Sequence, residues 1–363
     1  MCGCSSDTEK RRNNKNKQIG IEKDIIYNNE YRINHQKPKG FYNIGNSCYM
    51  NSFLQILLHI PNLVENLKKE YQNSNKKSPL IENIINLSKY PKNKKSLHLI
   101  QKYMNKISPN YAKFHQADSQ NFGIDLITEI IKNIKGVEEF SSQYQNKESE
   151  EIMNNTIYKK NKYKEYIKKY QNKDTQISLE KMLTINEYEN YFDSNGISNI
   201  NFISSFTIDL PFQINNQNEY SEEYNLEDLL NYKYNTKFET CYKKKNNYLQ
   251  IEHITKICKL PKIVIINILR SETGVKLKTQ KLHFTNIIDF SDYIDKDLIN
   301  KQNLKYKLFA INEKNGKSKL NGHYYSFIKI GNNWYLFNDE TVIEKEPNLA
   351  SNNVVGLFYE ESE

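Results

Sequence analysis

The sequence has few cysteines, and no two of them are spaced as a zinc site or a redox pair within a folded segment requires. They are Cys2, Cys4, Cys48, Cys241 and Cys258. A secretory signal is also missing, and an odd number of cysteines does not suit a disulfide framework. These absences argue against an extracellular protein, because disulfides persist in oxidising compartments. We therefore expect free thiols in the cytoplasm or the nucleus.

Long apolar runs are absent as well. The longest are well below the roughly 18 residues that a membrane-spanning helix needs. Even so, 37% of the 363 residues are hydrophobic, which excludes a disordered composition and suffices for a core without a disulfide or a metal. The formal net charge is +9, but it comes with a lysine-rich surface. We expect no nucleic-acid binding and at most a weak attraction to acidic partners.

Residues 1–36 lack apolar periodicity and predict a disordered basic tail. Five basic residues lie between Lys10 and Lys17, which is typical of a solvated arm. Position 2 is not glycine, so the tail carries no myristoylation signal. Acylation of Cys2 and Cys4 is an alternative, since the basic cluster would supply a second membrane signal. In that alternative the protein would associate weakly with membranes.

Helical periodicity dominates the first half of the remaining chain. One pattern begins at Cys48 and ends before Pro61, and an amphipathic helix begins at Asp118 or Ser119. Residues 145–185 are rich in Lys, Glu and Tyr, and we interpret them as an exposed helical insertion. The other predicted helices lie near residues 62–70, 79–88 and 95–106.

The character of the sequence changes after about residue 200. Runs of β-branched and aromatic residues alternate there with Pro, Gly and Asn, as expected for strands and turns. Helices followed by strands indicate the α+β class. We expect the active chemistry where the two halves meet. The predicted strands lie within residues 206–212, 248–257, 262–269, 305–311, 324–330 and 334–337.

Cys48 is either a small core residue or a nucleophile. With Asn46 or Ser47 as the N-cap, its thiol falls in the first turn of a helix, where free amides and the helix dipole favour a thiolate. That effect is worth at most about 2 kcal/mol, which alone leaves the thiol only partly ionised at neutral pH. The nucleophile hypothesis therefore requires a nearby imidazolium.

His323 differs from the other histidines because it has a candidate polar partner. Two strand-like runs flank Gly331 and Asn332, which form a two-residue hairpin signal. In that register His323 shares a sheet face with Asn338, within side-chain reach on the diagonal. Asn338 would then orient the imidazole, as in a Cys-His-Asn arrangement. Asp339 is the next candidate for orienting the imidazole. A three-residue loop would instead place His323 and Asn338 on opposite faces of the sheet.

Four sequence segments together point to one family. They are GFYNIGNSCYMNSFLQ, NGHYYSFIKIGNNWYLFNDETV, LPKIVIINILR and QADSQNF. They resemble, respectively, the cysteine box, the histidine box, a palm strand and the Gln-Gln-Asp-Ala-x-Glu-Phe motif of the ubiquitin-specific proteases. The segments follow the order of that family of cysteine deubiquitinases, and the resemblance covers about residues 39–359.

The resemblance implies a papain-like cysteine protease fold with a helical thumb, an antiparallel palm sheet and β fingers. The catalytic domain would span residues 37–361, with the thumb at about 40–185, the fingers at about 190–250 and the palm at about 251–361. Such an enzyme hydrolyses the isopeptide or peptide bond after the C-terminal glycine of ubiquitin. The implied partners are therefore ubiquitin and ubiquitinated proteins.

The resemblance also implies catalytic roles. Cys48 would attack the glycine carbonyl, and His323 would act first as base and then as acid for the leaving amine. Asn338 would orient His323, and Asp339 is the alternative or additional orienting residue. Asn43 matches the oxyanion-hole asparagine of the family, whose amide donates to the tetrahedral intermediate.

Further residues match the part of the family's site that binds ubiquitin. Gly322 and Tyr324 would line the channel for the glycine tail, Asp118 matches an acidic residue that holds this tail, and Gln116 belongs to the same motif. Asn121 stands where the family usually has glutamate. Its neutral side chain would weaken a contact to a tail arginine, or shift the preference towards another ubiquitin-like modifier.

The fingers depart from the family's pattern. Members often carry two Cys-x-x-Cys pairs that bind a structural zinc, whereas this chain keeps Cys241 alone. We therefore expect no zinc or other cofactor, fingers held by packing, and ordinary buried thiols at Cys241 and Cys258. The alternatives to an active deubiquitinase are a weak or inactive ubiquitin-binding module and a structural subunit of the same fold.

Overall fold

The computed structural model describes residues 37–74, 77–137, 144–146, 177–193, 196–212, 222–244, 247–270, 279–296, 299, 303–316, 318 and 321–362. The chain divides into two compact units, Met1–Pro38 and Lys39–Glu363. The predicted basic tail, with the acylation of Cys2 and Cys4, lies outside the described residues, as does most of the predicted insertion. None of the described helices is long and apolar enough to cross a membrane.

Five helices build the first part of the second unit, and all five were predicted from periodicity. Polar side chains begin several of them: Ser78, Asn93 and Asp118 each accept a hydrogen bond from a backbone amide of the first turn. The fifth helix ends at Gly136, whose φ of 67° suits a residue without a Cβ. The helices are α1 (Cys48–His59), α2 (Leu63–Asn73), α3 (Pro79–Lys89), α4 (Lys94–Ile107) and α5 (Ser119–Lys135).

The described ends of the predicted insertion correct the expectation of an exposed helical segment. At its start Tyr144–Asn146 forms a strand, β1, and at its end lies a helix, α6 (Ser178–Leu183). This helix buries Leu179, Met182 and Leu183 in the same core as α1. The spacing of those three side chains places them on one helical face, so the helix is packed rather than solvated.

The remaining described elements are one further α-helix, α7 (Leu226–Asn235), a short 3-10 helix (Pro109–Tyr111) and fifteen strands. The strands predicted from the sequence are among them. They are β2 (Ile185–Asp193), β3 (Gly196–Ser205), β4 (Ile208–Pro211), β5 (Glu223–Asn225), β6 (Phe238–Lys244), β7 (Asn247–Lys259), β8 (Ile263–Leu269), β9 (Lys281–His283), β10 (Ile287–Asp289), β11 (Lys305–Asn315), β12 (His323–Ile330), β13 (Asn333–Asn338), β14 (Thr341–Glu344), β15 (Ala350–Ser351) and β16 (Val354–Glu361).

The strands form three sheets. The first has the order β1-β3-β2-β7-β6, and all of its pairs are antiparallel. The second and largest sheet has the order β14-β13-β12-β11-β16-β8-β4, with β10 also paired to β11. The third is small, with the order β15-β9-β5. The second sheet carries His323 and Asn338, so it positions two of the predicted catalytic residues.

This second sheet is antiparallel, as expected for the palm, except at one edge. Its edge strand β4 runs parallel to β8, whereas its other pairs are antiparallel. The chain between β4 and β8 passes through α7 and two strands of the first sheet. Such a long connection allows parallel neighbours, while the short turns elsewhere in the sheet produce antiparallel hairpins.

Helix α1 is held between α5 and the second sheet, and this packing positions its first residue. Ten of its 12 residues are buried, and Phe53 packs edge-on against Phe358 of β16. The helices approach closely at Gly123, where a Cβ would lie 2.1 Å from the Phe53 ring. Any side chain there would push α5 away from α1. The start of α1 is therefore fixed relative to the strands that carry the histidine.

Candidate active site

Cys48 is the first residue of α1 and is buried, with 3% of its surface exposed. Ser47 occupies the N-cap position as one of the two predicted candidates, but its side chain does not cap the helix. Its Oγ instead accepts a hydrogen bond of 2.9 Å from the amide of Ile44. The first-turn amides of α1 are thus left without a side-chain cap beside the thiol, which favours negative charge there.

His323 and Asn338 come together in the register predicted from the Gly331–Asn332 turn. Ile330 pairs with Asn333, and the hairpin continues to Ser326 opposite Phe337. The imidazole Nε2 donates to Asn338 Oδ1 at 2.5 Å. Since Nε2 is used in this way, Nδ1 is the nitrogen available to the Cys48 thiol. The three side chains therefore form a Cys-His-Asn arrangement.

The surroundings of Cys48 and His323 favour an ion pair between them. Burial by itself would raise the pKa of the Cys48 thiol, but hydrogen bonds from His323, the Tyr324 backbone and Gln116 outweigh it and hold the pKa below its ordinary value. The hydrogen bond to Cys48 raises the pKa of His323 to about 9, despite partial burial, and Asn338 and the Asp339 charge add to the increase. A thiolate facing an imidazolium is the protonation state that a cysteine protease uses for attack.

The Asp339 side chain contacts the loop before Cys48 and helix α1 rather than the imidazole. Its carboxylate accepts hydrogen bonds from Asn43 Nδ2 at 2.8 Å and from Asn51 Nδ2 at 2.7 Å. Its backbone has a left-handed φ of 49°, and its carbonyl oxygen lies so close to Gly40 that a Cβ there would be 2.0 Å away. Asn338 is therefore the residue that contacts His323, while Asp339 joins the end of β13 to the loop before Cys48.

Asn43 lies in this same loop and has both ends of its side chain engaged. Its Oδ1 accepts from the amides of Gly45 and Ser47 at 3.0 and 3.3 Å, and one N–H donates to Asp339. A primary amide has two N–H groups. The second one is the group that would have to reach an oxyanion at Cys48.

Gln116 lies at the nucleophile, a position that sequence reasoning did not foresee. Its Nε2 donates to Cys48 Sγ at 3.6 Å, a normal length for a hydrogen bond to sulfur. The sequence motif placed Gln116 among the residues that bind substrate. In the structure its amide also contacts the Cys48 sulfur, and this hydrogen bond lowers the pKa of the thiol.

Asp118, at the start of α5, is joined to Tyr324 of β12 by a hydrogen bond, and Gly322 lies two residues before Tyr324. Asp118 Oδ1 caps α5 by accepting from the amides of Gln120 and Asn121, both at 3.0 Å, and Oδ2 accepts from the Tyr324 hydroxyl at 3.2 Å. Gly322 is half-buried and lies close to the neighbouring strand, because a Cβ on it would be 2.9 Å from the Asn315 carbonyl oxygen. The Asn121 side chain is exposed.

A buried polar cluster beneath the site was not predicted. Asn312 of β11 donates to Ser119 Oγ at 2.8 Å, and Ser119 donates to the Tyr49 carbonyl at 2.8 Å. Ser52 Oγ lies 3.1 Å from Ser119 Oγ. This cluster connects β11, α5 and α1, so it ties the nucleophile helix to the sheet. Single polar residues within apolar patterns give no signal of such contacts in a sequence.

The positions of the remaining cysteines and of possible zinc ligands are relevant to the prediction that the fingers bind no zinc. Cys258 is buried and its thiol donates to the Asn186 carbonyl at 3.3 Å, as an ordinary core thiol. The side chain of Cys241 lies outside the described residues. Within the described part of the chain, no three His, Cys, Asp or Glu side chains gather as metal ligands.

Sequence comparison identifies one family. The profile described as ubiquitin carboxyl-terminal hydrolase matches residues 39–359. No curated protein sequence matches the chain significantly.

Solved structures of deubiquitinating modules share the fold. A structure of the yeast SAGA DUB module with a mutant Sgf73 has a TM-score of 0.67 at 16% identity, over 90% of this chain and 69% of that one. A SAGA module with Ubp8 bound to monoubiquitin has a TM-score of 0.64 at 17% identity, over 90% and 69%. A module bound to ubiquitin aldehyde has a TM-score of 0.64 at 19% identity, over 90% and 70%. At these identities the likeness shows the fold alone, and it is the papain-like fold expected from the sequence.

Proposed function

Because the chain belongs to the ubiquitin carboxyl-terminal hydrolase family, we propose that it is a thiol-dependent deubiquitinase. Its reaction is hydrolysis of the isopeptide or peptide bond after the C-terminal glycine of ubiquitin. The observation that carries the proposal is the Cys48–His323–Asn338 arrangement, with Asn338 Oδ1 2.5 Å from His323 Nε2. An inactive binding module has no need of this arrangement.

The first half of the reaction forms a thioester. The Cys48 thiolate attacks the carbonyl carbon of the terminal glycine, and the carbonyl π electrons move to oxygen. The second N–H of Asn43 and the uncapped amides at the start of α1 are the donors near this oxyanion, and one such donor contributes about 3 kcal/mol. The imidazolium of His323 then gives its proton to the leaving nitrogen, the C–N bond breaks, and the amine departs.

The second half restores the enzyme. Neutral His323 takes a proton from water, and the resulting hydroxide attacks the thioester carbonyl. Collapse of the second tetrahedral intermediate breaks the C–S bond and returns the Cys48 thiolate with ubiquitin's free carboxylate. Asn338 accepts from His323 Nε2–H in both halves, which keeps Nδ1 directed at the sulfur.

The glycine tail of ubiquitin would enter past Gly322 and Tyr324. Gly322 has no room for a side chain of its own, since a Cβ would lie 2.9 Å from the Asn315 carbonyl oxygen. Asp118 offers its carboxylate near the Tyr324 hydroxyl. Asn121 is exposed and neutral, so it offers no carboxylate to an arginine of the tail. A preference for another ubiquitin-like modifier is therefore the alternative specificity.

A ubiquitin probe with a C-terminal electrophile tests this proposal. We expect wild-type protein to form a covalent adduct and Cys48→Ala to form none. His323→Ala should label far more slowly, because it cannot stabilise the thiolate. Matched probes made with other ubiquitin-like modifiers test the specificity.

Two results would contradict the proposal. Wild-type protein that stays unlabelled by the ubiquitin probe, while Cys48→Ala binds ubiquitin tightly, would favour the inactive binding module. Labelling by another modifier's probe, with none by ubiquitin, would retain the chemistry and change the substrate.

A further inference from the structure

A cavity of about 510 Å³ opens beside His323. Its wall includes Asn338, which accepts the imidazole hydrogen bond, and Tyr325, whose ring centroid lies 6.5 Å from that of His323 with 27° between the planes. Phe327 and Leu336 form its apolar part, and the segment 345–353 forms much of the remaining wall. The size lies in the range of pockets that bind small ligands or short peptide segments.

The cavity lies on the side of the site that the leaving group must occupy. Successive side chains of a strand point to opposite faces. Tyr324 therefore points to the face where Asp118 binds its hydroxyl, and His323 and Tyr325 point to the other. The acyl part of the substrate would lie on the Asp118 side. The leaving nitrogen would lie at His323, because that imidazole protonates it, and the chain attached to this nitrogen continues towards the cavity.

The lining is chemically suited to a peptide backbone. Five asparagines contribute to it, together with Glu313, Lys345 and Glu346. Asn348 accepts from the Ala350 amide and Asn352 donates to the Thr279 carbonyl, so both side chains are held at the wall. A side-chain amide carries more donors and acceptors than one such contact uses. The lining asparagines are Asn315, Asn338, Asn348, Asn352 and Asn353.

We propose that this cavity is the leaving-group subsite and binds the short peptide segment of the acceptor protein that carries the modified lysine. The inference rests on the proposed function. The lysine stem would pack along the apolar part of the wall, and the peptide backbone would bind the amides. Discrimination between acceptors would then arise here, while recognition of the ubiquitin tail arises on the Asp118 side.

Two substrates that differ only in the leaving group test the subsite. One is ubiquitin with a small fluorogenic amine at its C-terminus, and the other is ubiquitin joined by an isopeptide bond to the lysine of a short peptide. Glu346 is exposed and lines the cavity, so Glu346→Trp should fill the space without disturbing the core. We expect the ratio of kcat/KM for the peptide substrate to that for the small amide to fall about 10-fold.

A matched control and a second variant complete the design. Lys329 is exposed on β12 and does not line the cavity, so Lys329→Trp should leave the ratio unchanged. Lys345→Trp, exposed and in the wall, should lower the ratio like Glu346→Trp. An unchanged ratio in both cavity variants, or an equal fall in Lys329→Trp, would overturn the subsite. Wild-type protein that cleaves neither substrate would instead overturn the proposed function, and the subsite with it.

Discussion

The imidazole of His323 is either protonated and positively charged or neutral, and the attack on substrate in the proposed reaction needs the protonated form. At acidic pH the Cys48 thiol is protonated and cannot attack. As the pH rises, the thiolate forms early, because the hydrogen bonds at Cys48 hold its pKa below the ordinary value. Above a pH of about 9, where His323 loses its proton, no acid remains for the leaving amine. We expect a bell-shaped pH profile of kcat/KM with an alkaline limb near pH 9. The two limbs report the macroscopic pKa values of the coupled Cys48–His323 pair.

Asn338→Ala provides the control for this profile. The hydrogen bond from Nε2 to Asn338 contributes to the raised pKa of His323. Its removal should lower that pKa and move the alkaline limb to lower pH, with kcat also reduced. An alkaline limb that stays in place in Asn338→Ala would mean that another group titrates there.

The amide of Gln116 leads to a second residue-scale prediction. Gln116→Met keeps the size of the side chain but removes the donor to Cys48 Sγ. The pKa of the thiol should rise, and kcat should fall about 10-fold, since a hydrogen bond to a charged group is lost. The pH dependence of Cys48 alkylation measures the first effect directly. If KM rises while the alkylation profile is unchanged, Gln116 only binds substrate.

Some of these residue positions could be predicted and others could not. The contact between His323 and Asn338 follows from a two-residue turn and the period of a strand, which together fix the register. The contacts of Asp339 do not follow, because its left-handed backbone turns the carboxylate towards Asn43 and Asn51. The contact of Gln116 with Cys48 depends on how α5 packs on α1, about which neither segment carries a local signal.

At the scale of elements, Arg270 at the end of β8 joins three other segments of the chain, just before β9, in β15 and at the start of β16. Its guanidinium is buried and donates to the carbonyls of Val354, Gln280 and Ser351 at 2.6, 2.8 and 3.2 Å. Arg270→Met would leave these three carbonyls without their donor. We expect the free energy of unfolding to fall by about 3 kcal/mol or more, measured by denaturant unfolding.

Lys262 is the matched control, since it is a basic residue near the other end of β8 and is exposed. Lys262→Met should change the unfolding free energy by no more than about 0.5 kcal/mol. An equal loss in the two variants would mean that the carbonyl contacts of Arg270 contribute little to stability.

The elements that could be predicted are those with a strong periodic pattern. Helices α1 to α5 and the apolar strands β8, β11 and β12 have such patterns. Strands β2 and β3 were not predicted as separate elements, because residues 185–205 are rich in Asn and Ser. They are strands because β2 pairs with both β3 and β7. Likewise, the parallel pairing of β4 with β8 depends on the route of the chain between them.

At the scale of the whole molecule, the order of helices and strands predicts the fold class but not the cavity beside the site. Cys48 and His323 are far apart in sequence, and the family resemblance is what places them together. The cavity needs the ends of β11, β12 and β13 and the segment 345–353 at one place. No local pattern marks the space that such elements leave between them.

The first sheet gives the last prediction, which concerns the expected absence of zinc. Aromatic rings cross three of its strands: Tyr191 stacks on His253, and His253 stacks on Phe238, with centroids 5.2 and 5.3 Å apart. Tyr188 also donates to Asp295 at 2.8 Å, outside that sheet. Because these contacts join the strands of the sheet without a metal, we expect chelators to leave Tm and probe labelling unchanged. Phe238→Ala, which removes one of the rings, should lower Tm. A structural zinc contributes on the order of 10 kcal/mol to folding, so co-purifying zinc, together with a fall of many degrees in Tm on chelation, would contradict fingers held by packing alone.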